Sequence, residues 1–275
     1  MSDDALSLYV NAGGIKTHLY VAGEGDGLPV VFVHGGGLGS SAESWLGTMR
    51  AVGRKRRAYA PDTVGFGRTD APAIAYDTQG ILDHLTALLD VLCLERVILV
   101  GHSLGATIVA RLSVEQPERV AACVMVAPGG GALGVRYHSE GHDAMSRVLE
   151  DPAPGNVRAL AALMRAGDGN IEADAAARLA FAKRPGHLEA LRAYAAAAPA
   201  ATLEDRLPHA AVPLMLVWGL RERFNPPEIG ARIAQKLPNL KRYVAFENAG
   251  HYIQYDEPER FPETLNDFFN EVEVA

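Results

Sequence analysis

Val97-Ile98-Leu99-Val100-Gly101-His102-Ser103-Leu104-Gly105 is the stretch on which the reading of this chain turns. An apolar run leads straight into G-x-S-x-G. Behind it, Ala106, Ile108, Val109 and Leu112 recur at helical spacing. A strand, a sharp turn and then a helix is the setting in which this motif displays a reactive serine. Glycines at 101 and 105 remove β-carbons that would obstruct the turn. Ser103 is therefore expected at the carboxyl edge of a sheet, above a helix amino terminus. The Leu104 backbone N–H is left to face a developing oxyanion.

Outward from this stretch the chain alternates strand-like and helix-like segments. Ile15–Val21, Val30–Val33, Ala58–Pro61, Val97–Val100, Ala121–Val126, Leu214–Trp218 and Arg242–Phe246 read as strands. Thr78–Leu92, Glu228–Leu237 and Glu259–Phe269 read as helices. Continuous apolar strands between helices predict an α/β fold, a mostly parallel central sheet covered on both faces. From 131 to 208 no strand is evident. Val157–Ala166, Ala173–Ala182 and Leu188–Ala198 are alanine-rich and helix-prone, with prolines and glycines such as Pro154, Gly167, Pro185 and Pro199 between them. We expect residues 1–130 and 209–275 to form the core and 131–208 an inserted helical cap. The cap leaves the sheet beside the serine, where sites of open α/β sheets lie.

A serine nucleophile needs a base and an acid that orients it. His251 follows a strand and the short loop Glu247-Asn248-Ala249, and in this strand order the base comes last. The acid belongs in the loop after the preceding strand, Trp218-Gly219-Leu220-Arg221-Glu222-Arg223-Phe224-Asn225-Pro226. Its carboxylate is Glu222. The loop after Ala121–Val126, Ala127-Pro128-Gly129-Gly130, holds none. His34-Gly35-Gly36-Gly37 follows the strand Val30–Val33, and its glycines let main-chain N–H groups approach an oxyanion. Gly36 and Leu104 are the expected donors.

Composition sets the outer limits. The 275 residues are 48% hydrophobic and 21% charged, which is ordinary for a globular enzyme. A net charge of −7 argues against a nucleic-acid partner. Arg54-Lys55-Arg56-Arg57 reads as a solvated loop. Cys93 and Cys123 lie in apolar stretches and read as buried thiols rather than a disulfide. Met1-Ser2-Asp3-Asp4 lacks the basic start of a signal peptide, and no apolar run is long enough to span a bilayer. A cytoplasmic enzyme is expected. His138 and His142 lack the H-E-x-x-H zinc spacing and read as surface histidines at the cap entrance. No metal site and no cofactor is implied. The expected partner is a small, mostly apolar molecule with a reactive carbonyl. A homodimer is left open.

Taken together these residues resemble the α/β-hydrolase fold across nearly the whole chain. More narrowly they resemble the meta-cleavage product hydrolases, which cut carbon–carbon bonds in dienoates from aromatic-ring degradation. The resemblance rests on His34-Gly35-Gly36-Gly37-Leu38-Gly39, Pro61-Asp62-Thr63-Val64-Gly65-Phe66-Gly67-Arg68-Thr69-Asp70, the serine turn, Ala127-Pro128-Gly129-Gly130, and Trp218 through Pro226. In that family an arginine from the cap binds the substrate carboxylate, and Ala177-Arg178-Leu179-Ala180-Phe181 is the similar segment. The resemblance implies Gly35, Gly37, His102, Arg178, Trp218 and Tyr252 as substrate-contacting residues. The chain departs from the family at several places. Glu222 stands where aspartate is usual, His102 where asparagine is common and Tyr252 where tryptophan is usual. An asparagine often found after the glycine loop has no clear counterpart around Ser44-Trp45-Leu46. A carboxylesterase or lactonase is the alternative, and a ligand-binding member of the fold a third.

Overall fold

The computed structural model describes residues 5–129, 133–135, 137–167, 169–197 and 202–274. Met1 to Asp4, Gly130, the first residues of the expected cap (Gly131 and Ala132), Ala198 and Pro199 lie outside them. Seven strands form one sheet: β1 Leu6–Ala12, β2 Ile15–Val33, β3 Arg56–Pro61, β4 Val97–His102, β5 Val120–Val126, β6 Leu214–Gly219 and β7 Leu240–Phe246. Their order is β1-β2-β4-β5-β6-β7, with β3 paired to β2. β1 and β3 run antiparallel to β2, and β2, β4, β5, β6 and β7 are mutually parallel.

The helices are α1 Leu46–Val52, α2 Thr78–Val91, α3 Leu104–Glu115, α4 Glu140–Glu150, α5 Pro154–Met164, α6 Ile171–Ala182, α7 His187–Ala196, α8 Pro227–Lys236, α9 Ile253–Asp256 and α10 Arg260–Val274. One sheet face packs residues of α2, α3 and α8. The other packs α1, α9 and α10. Burial on both faces explains why the central strands are almost wholly apolar. Helices α4 to α7 stand between β5 and β6, where the sequence predicts the insertion. No helix among the described residues is long and apolar enough to cross a membrane.

Three expectations change. Ile15–Val21 and Val30–Val33 are halves of one bulged strand, β2. The glycines between them allow contact closer than a side chain permits: a β-carbon on Gly25 would lie 2.0 Å from Lys55 O. Within the basic run, Arg54, Lys55 and Arg57 are exposed, but Arg56 is buried. Its guanidinium bonds Glu273 Oε2 at 2.6 Å and Asn270 Oδ1 at 3.0 Å, stapling β3 to α10. Cys123 is buried, whereas Cys93 is exposed. Cys93 takes the left-handed position that closes α2, at φ 53°, which turns its side chain outward.

Buried neutral histidines are expected to make this fold acid-sensitive. His84 bonds Thr17 Oγ1 at 2.7 Å and accepts from Val64 N at 3.2 Å. His187 lies against Phe66 and Phe181. Burial pushes both imidazoles down to about 4. An unfolded histidine takes up its proton near pH 6.5. Between there and pH 4 the unfolded chain therefore binds more protons, and stability falls as pH falls. Each histidine accounts for about 3 kcal/mol across that window. Urea midpoints are expected to drop steadily from pH 7 to pH 4.5. A flat profile would contradict this assignment.

Candidate active site

The turn after β4 holds Ser103 at φ 53°, ψ −113°. A non-glycine residue there stores on the order of 1–3 kcal/mol, which the surroundings must offset. They do so with tight backbone packing. A β-carbon on Gly101 would lie 2.2 Å from Gly105 O, and one on Gly105 2.3 Å from Val33 O. Both glycines of the motif are thus required by space, not by dihedral freedom. Ser103 N donates to Val126 O at 2.9 Å, locking the turn to β5.

The glycine loop after β2 lies directly against this turn. A β-carbon on Gly35 would meet Ser103 Cβ at 3.3 Å, and one on Gly36 would meet Leu104 Cδ2 at 2.3 Å. Gly37 N donates to Ser40 Oγ at 2.9 Å. Gly37 also approaches Met145 of α4, its added β-carbon falling 3.0 Å from Met145 Cε.

Glu222 and His251 come from neighbouring loops after β6 and β7. His251 Nδ1 lies 2.7 Å from Glu222 Oε2, and both side chains are buried. The other carboxylate oxygen, Oε1, accepts from Phe224 N at 2.8 Å and Asn225 N at 2.9 Å. A carboxylate so bound presents only an acceptor to His251. The proton then sits on Nδ1 and the Nε2 lone pair is free. The extra methylene of glutamate is absorbed because the loop folds back and caps its own carboxylate. Leu220 N to Phe246 O at 2.8 Å and Arg221 N to Ala249 O at 2.9 Å tie the two loops together. The ring of Phe224 covers His251 at 4.9 Å between centroids. Among the described residues no hydrogen bond is made by Ser103 Oγ, and such contacts commonly tighten only with substrate bound.

His102 lies against His251. Its ring is 4.4 Å from that of His251 and 4.9 Å from that of Tyr252. Nε2 donates to His251 O at 2.9 Å, fixing the backbone of that residue. Nδ1 is then a buried acceptor without a partner among the described residues. Burial and the neighbouring His251 hold its pKa well below the ordinary value, so it stays neutral.

Arg178 lies on α6 and is only 3% exposed. Nε donates to Asp174 Oδ2 at 3.0 Å, Nη1 to Leu38 O at 2.8 Å and Nη2 to Tyr252 OH at 3.2 Å. Burial opposes the charge, but Tyr252 and Asp174 outweigh it and raise the pKa further. Gly39, at φ 73°, lets the loop touch α6: a β-carbon there would lie 2.5 Å from Arg178 Cα. The arginine thus joins the glycine loop, the helical insertion and Tyr252, the residue after His251. Trp218 is fully buried, and its Nε1 donates to Asn225 O at 3.1 Å, bracing the loop that carries Glu222.

Sequence patterns missed several supports. Asn225 donates Nδ2 to Ala127 O at 2.9 Å and accepts at Oδ1 from Tyr137 OH, so one side chain bridges the loops after β5 and β6 and the start of the insertion. Asp256 accepts from Gly250 N, Ala166 N and Arg165 Nε, clamping the end of α5 to the histidine loop. Neither carries a motif, because each acts through tertiary contacts. His138 is exposed as expected and pairs with Asp143 at 3.0 Å. His142 is not a plain surface residue. It is half-buried against Phe224 and Tyr137, and Phe224 in turn lies against His251.

The α/β-hydrolase fold family profile matches residues 29–258, most of the chain. The chain belongs to the α/β-hydrolase fold family, and it is a hydrolase. It is 34% identical over 273 residues to the 2-hydroxy-6-oxo-2,4-heptadienoate hydrolase of Pseudomonas putida, covering 94% of each. It is 31% identical over 278 residues to a 2-hydroxymuconate semialdehyde hydrolase of a Pseudomonas species, covering 96% of this chain and 94% of the relative. The structure of a meta-cleavage product hydrolase from Pseudomonas fluorescens matches with a TM-score of 0.82 at 25% identity, covering 98% of both chains.

Proposed function

We propose that this enzyme hydrolyses a carbon–carbon bond beside a ketone in a 2-hydroxy-6-oxo-dienoate, with Ser103, His251 and Glu222 as its triad and no cofactor. In this reading 131–208 is the cap over the site, and Gly35, Gly37, His102, Arg178, Trp218 and Tyr252 surround the substrate or support the residues that do. The substrate ketone oxygen points at the N–H groups of Gly36 and Leu104. His251 Nε2 takes the proton from Ser103 Oγ or from water, and Glu222 stabilises the imidazolium that forms. Breaking the bond leaves an electron pair on carbon. That pair needs a conjugated acceptor, which the 2-oxo form of the dienoate supplies. A carboxylate at that end requires a cationic partner under the cap.

The observation that carries this reading is the buried guanidinium of Arg178. Among the described residues three of its five N–H groups are engaged, which leaves one on each terminal nitrogen. A fork of that kind grips a carboxylate with paired charge-assisted bonds. Replacing Arg178 with glutamine is expected to raise KM for a dienoate by about 10²-fold, as loss of a buried charge partner does. Turnover of neutral p-nitrophenyl acetate should change little. Equal losses on both substrates would remove the support for an acidic substrate and favour the esterase or lactonase reading.

A further inference from the structure

We propose that His34 is a positioning residue that aims the Gly36 N–H at the oxyanion. The inference rests on the serine-hydrolase reading above and adds a residue to it. The imidazole of His34 is buried between two loops. Its Nε2 lies 3.0 Å from Thr63 N. A backbone N–H can only donate, so Nε2 must be the acceptor and the ring proton sits on Nδ1. Nδ1 in turn lies 2.7 Å from Gly35 O and donates to it. The tautomer follows from the backbone partner, and burial, which lowers the His34 pKa, keeps the ring neutral.

Gly35 O and Gly36 N–H belong to one peptide unit. No cis bond occurs among the described residues, so the two groups point in opposite directions. Drawing the carbonyl toward His34 turns the Gly36 N–H the other way. The Gly36 backbone is the part of the loop that packs against Leu104, and Gly35 the part beside Ser103. The neighbouring N–H groups are already taken: Gly37 N by Ser40 Oγ, Ser40 N by Gly37 O and Ala42 N by Asp62 Oδ1. Gly36 N has no partner among the described residues. Two glycines in succession would otherwise let this peptide flip at little cost. His34 removes that freedom before substrate arrives, which is the condition for an oxyanion donor to be effective.

Thr63 closes the chain of support. It follows Asp62, which also accepts from Arg68 N at 2.8 Å and His18 Nδ1 at 2.7 Å. The Pro61–Asp70 stretch quoted for its resemblance is therefore the anchor of the glycine loop. His34 meets it at Thr63, and Asp62 meets the loop again at Ala42.

The test uses three variants. Asparagine at 34 can place an amide N–H where Nδ1 stands, whereas glutamine reaches past it and leucine offers no donor. Each variant is compared for its steady-state constants and for the rate at which diethyl p-nitrophenyl phosphate modifies Ser103. That reaction builds negative charge in the same oxyanion site and needs no particular substrate. His34→Leu and His34→Gln are expected to lose about 10²-fold in kcat and in labelling rate with little change in KM. His34→Asn should keep most of both. If His34→Leu does not fold, the contrast between asparagine and glutamine decides. Equal labelling in wild type, His34→Asn and His34→Gln would overturn the proposal. Failure of the wild type itself to be labelled at Ser103 would instead overturn the serine-hydrolase reading.

Discussion

Ser103→Ala is expected to lower turnover by about 10⁴- to 10⁶-fold while leaving the fold intact. The change removes one oxygen. The φ of 53° stays strained, but alanine makes it no worse than serine does. The packing of Gly101, Gly105 and Val126 around the turn involves none of the atoms removed. What remains in the variant is the pair of N–H groups at Gly36 and Leu104 and the imidazole of His251. Together these sustain a small residual rate, as binding and oxyanion donors do when a triad member is lost. Activity within tenfold of wild type, with the fold preserved, would mean that Ser103 is not the reacting group.

Glu222→Gln is expected to cost about 10⁴-fold, because here the local hydrogen bonds dictate how the amide must sit. Oε1 of Glu222 accepts from two backbone N–H groups, Phe224 N and Asn225 N. Only the oxygen of glutamine can take that place. The amide nitrogen is then forced toward His251 Nδ1 and donates to it. The imidazole must answer with the other tautomer, its proton on Nε2, facing Ser103 as a donor instead of an acceptor. The base is disarmed with hardly an atom moved. Retained activity would show that another carboxylate orients His251, and thermal unfolding near the wild-type midpoint would confirm that the loss is chemical.

The elements that position this site were legible because each depends on neighbours in sequence. The apolar run before Ser103, the glycines around it and the helical spacing behind it are local, and all three appear where the sequence places them. Glu222 followed from its place after β6, and the structure brings it to His251. Arg178 entered through resemblance, and its burial distinguishes it from an ordinary exposed helix arginine. What sequence could not deliver depends on pairings across the chain. Arg56 sits in a basic run, yet finds Glu273 more than two hundred residues away. β1 lies mostly exposed along the edge of the sheet and carries no motif of its own, and it forms because β2 offers a full register from Ala12↔Ile15 to Leu6↔Val21. Asn225 and Asp256 look like loop residues until the loops they join are seen together. His34 reads as part of a glycine motif, and its partners Thr63 N and Gly35 O emerge only in three dimensions.

Product analysis tests the proposed carbon–carbon cleavage most directly. The purified enzyme is incubated with 2-hydroxy-6-oxo-2,4-heptadienoate, and the loss of its conjugated absorbance is followed alongside chromatography of the products. Addition of one water across the bond beside the ketone must yield acetate and 2-hydroxypenta-2,4-dienoate in equal amounts. Both are expected, formed at the rate at which substrate disappears and absent with Ser103→Ala. Rapid hydrolysis of p-nitrophenyl acetate with the dienoate left intact would contradict the proposed cleavage.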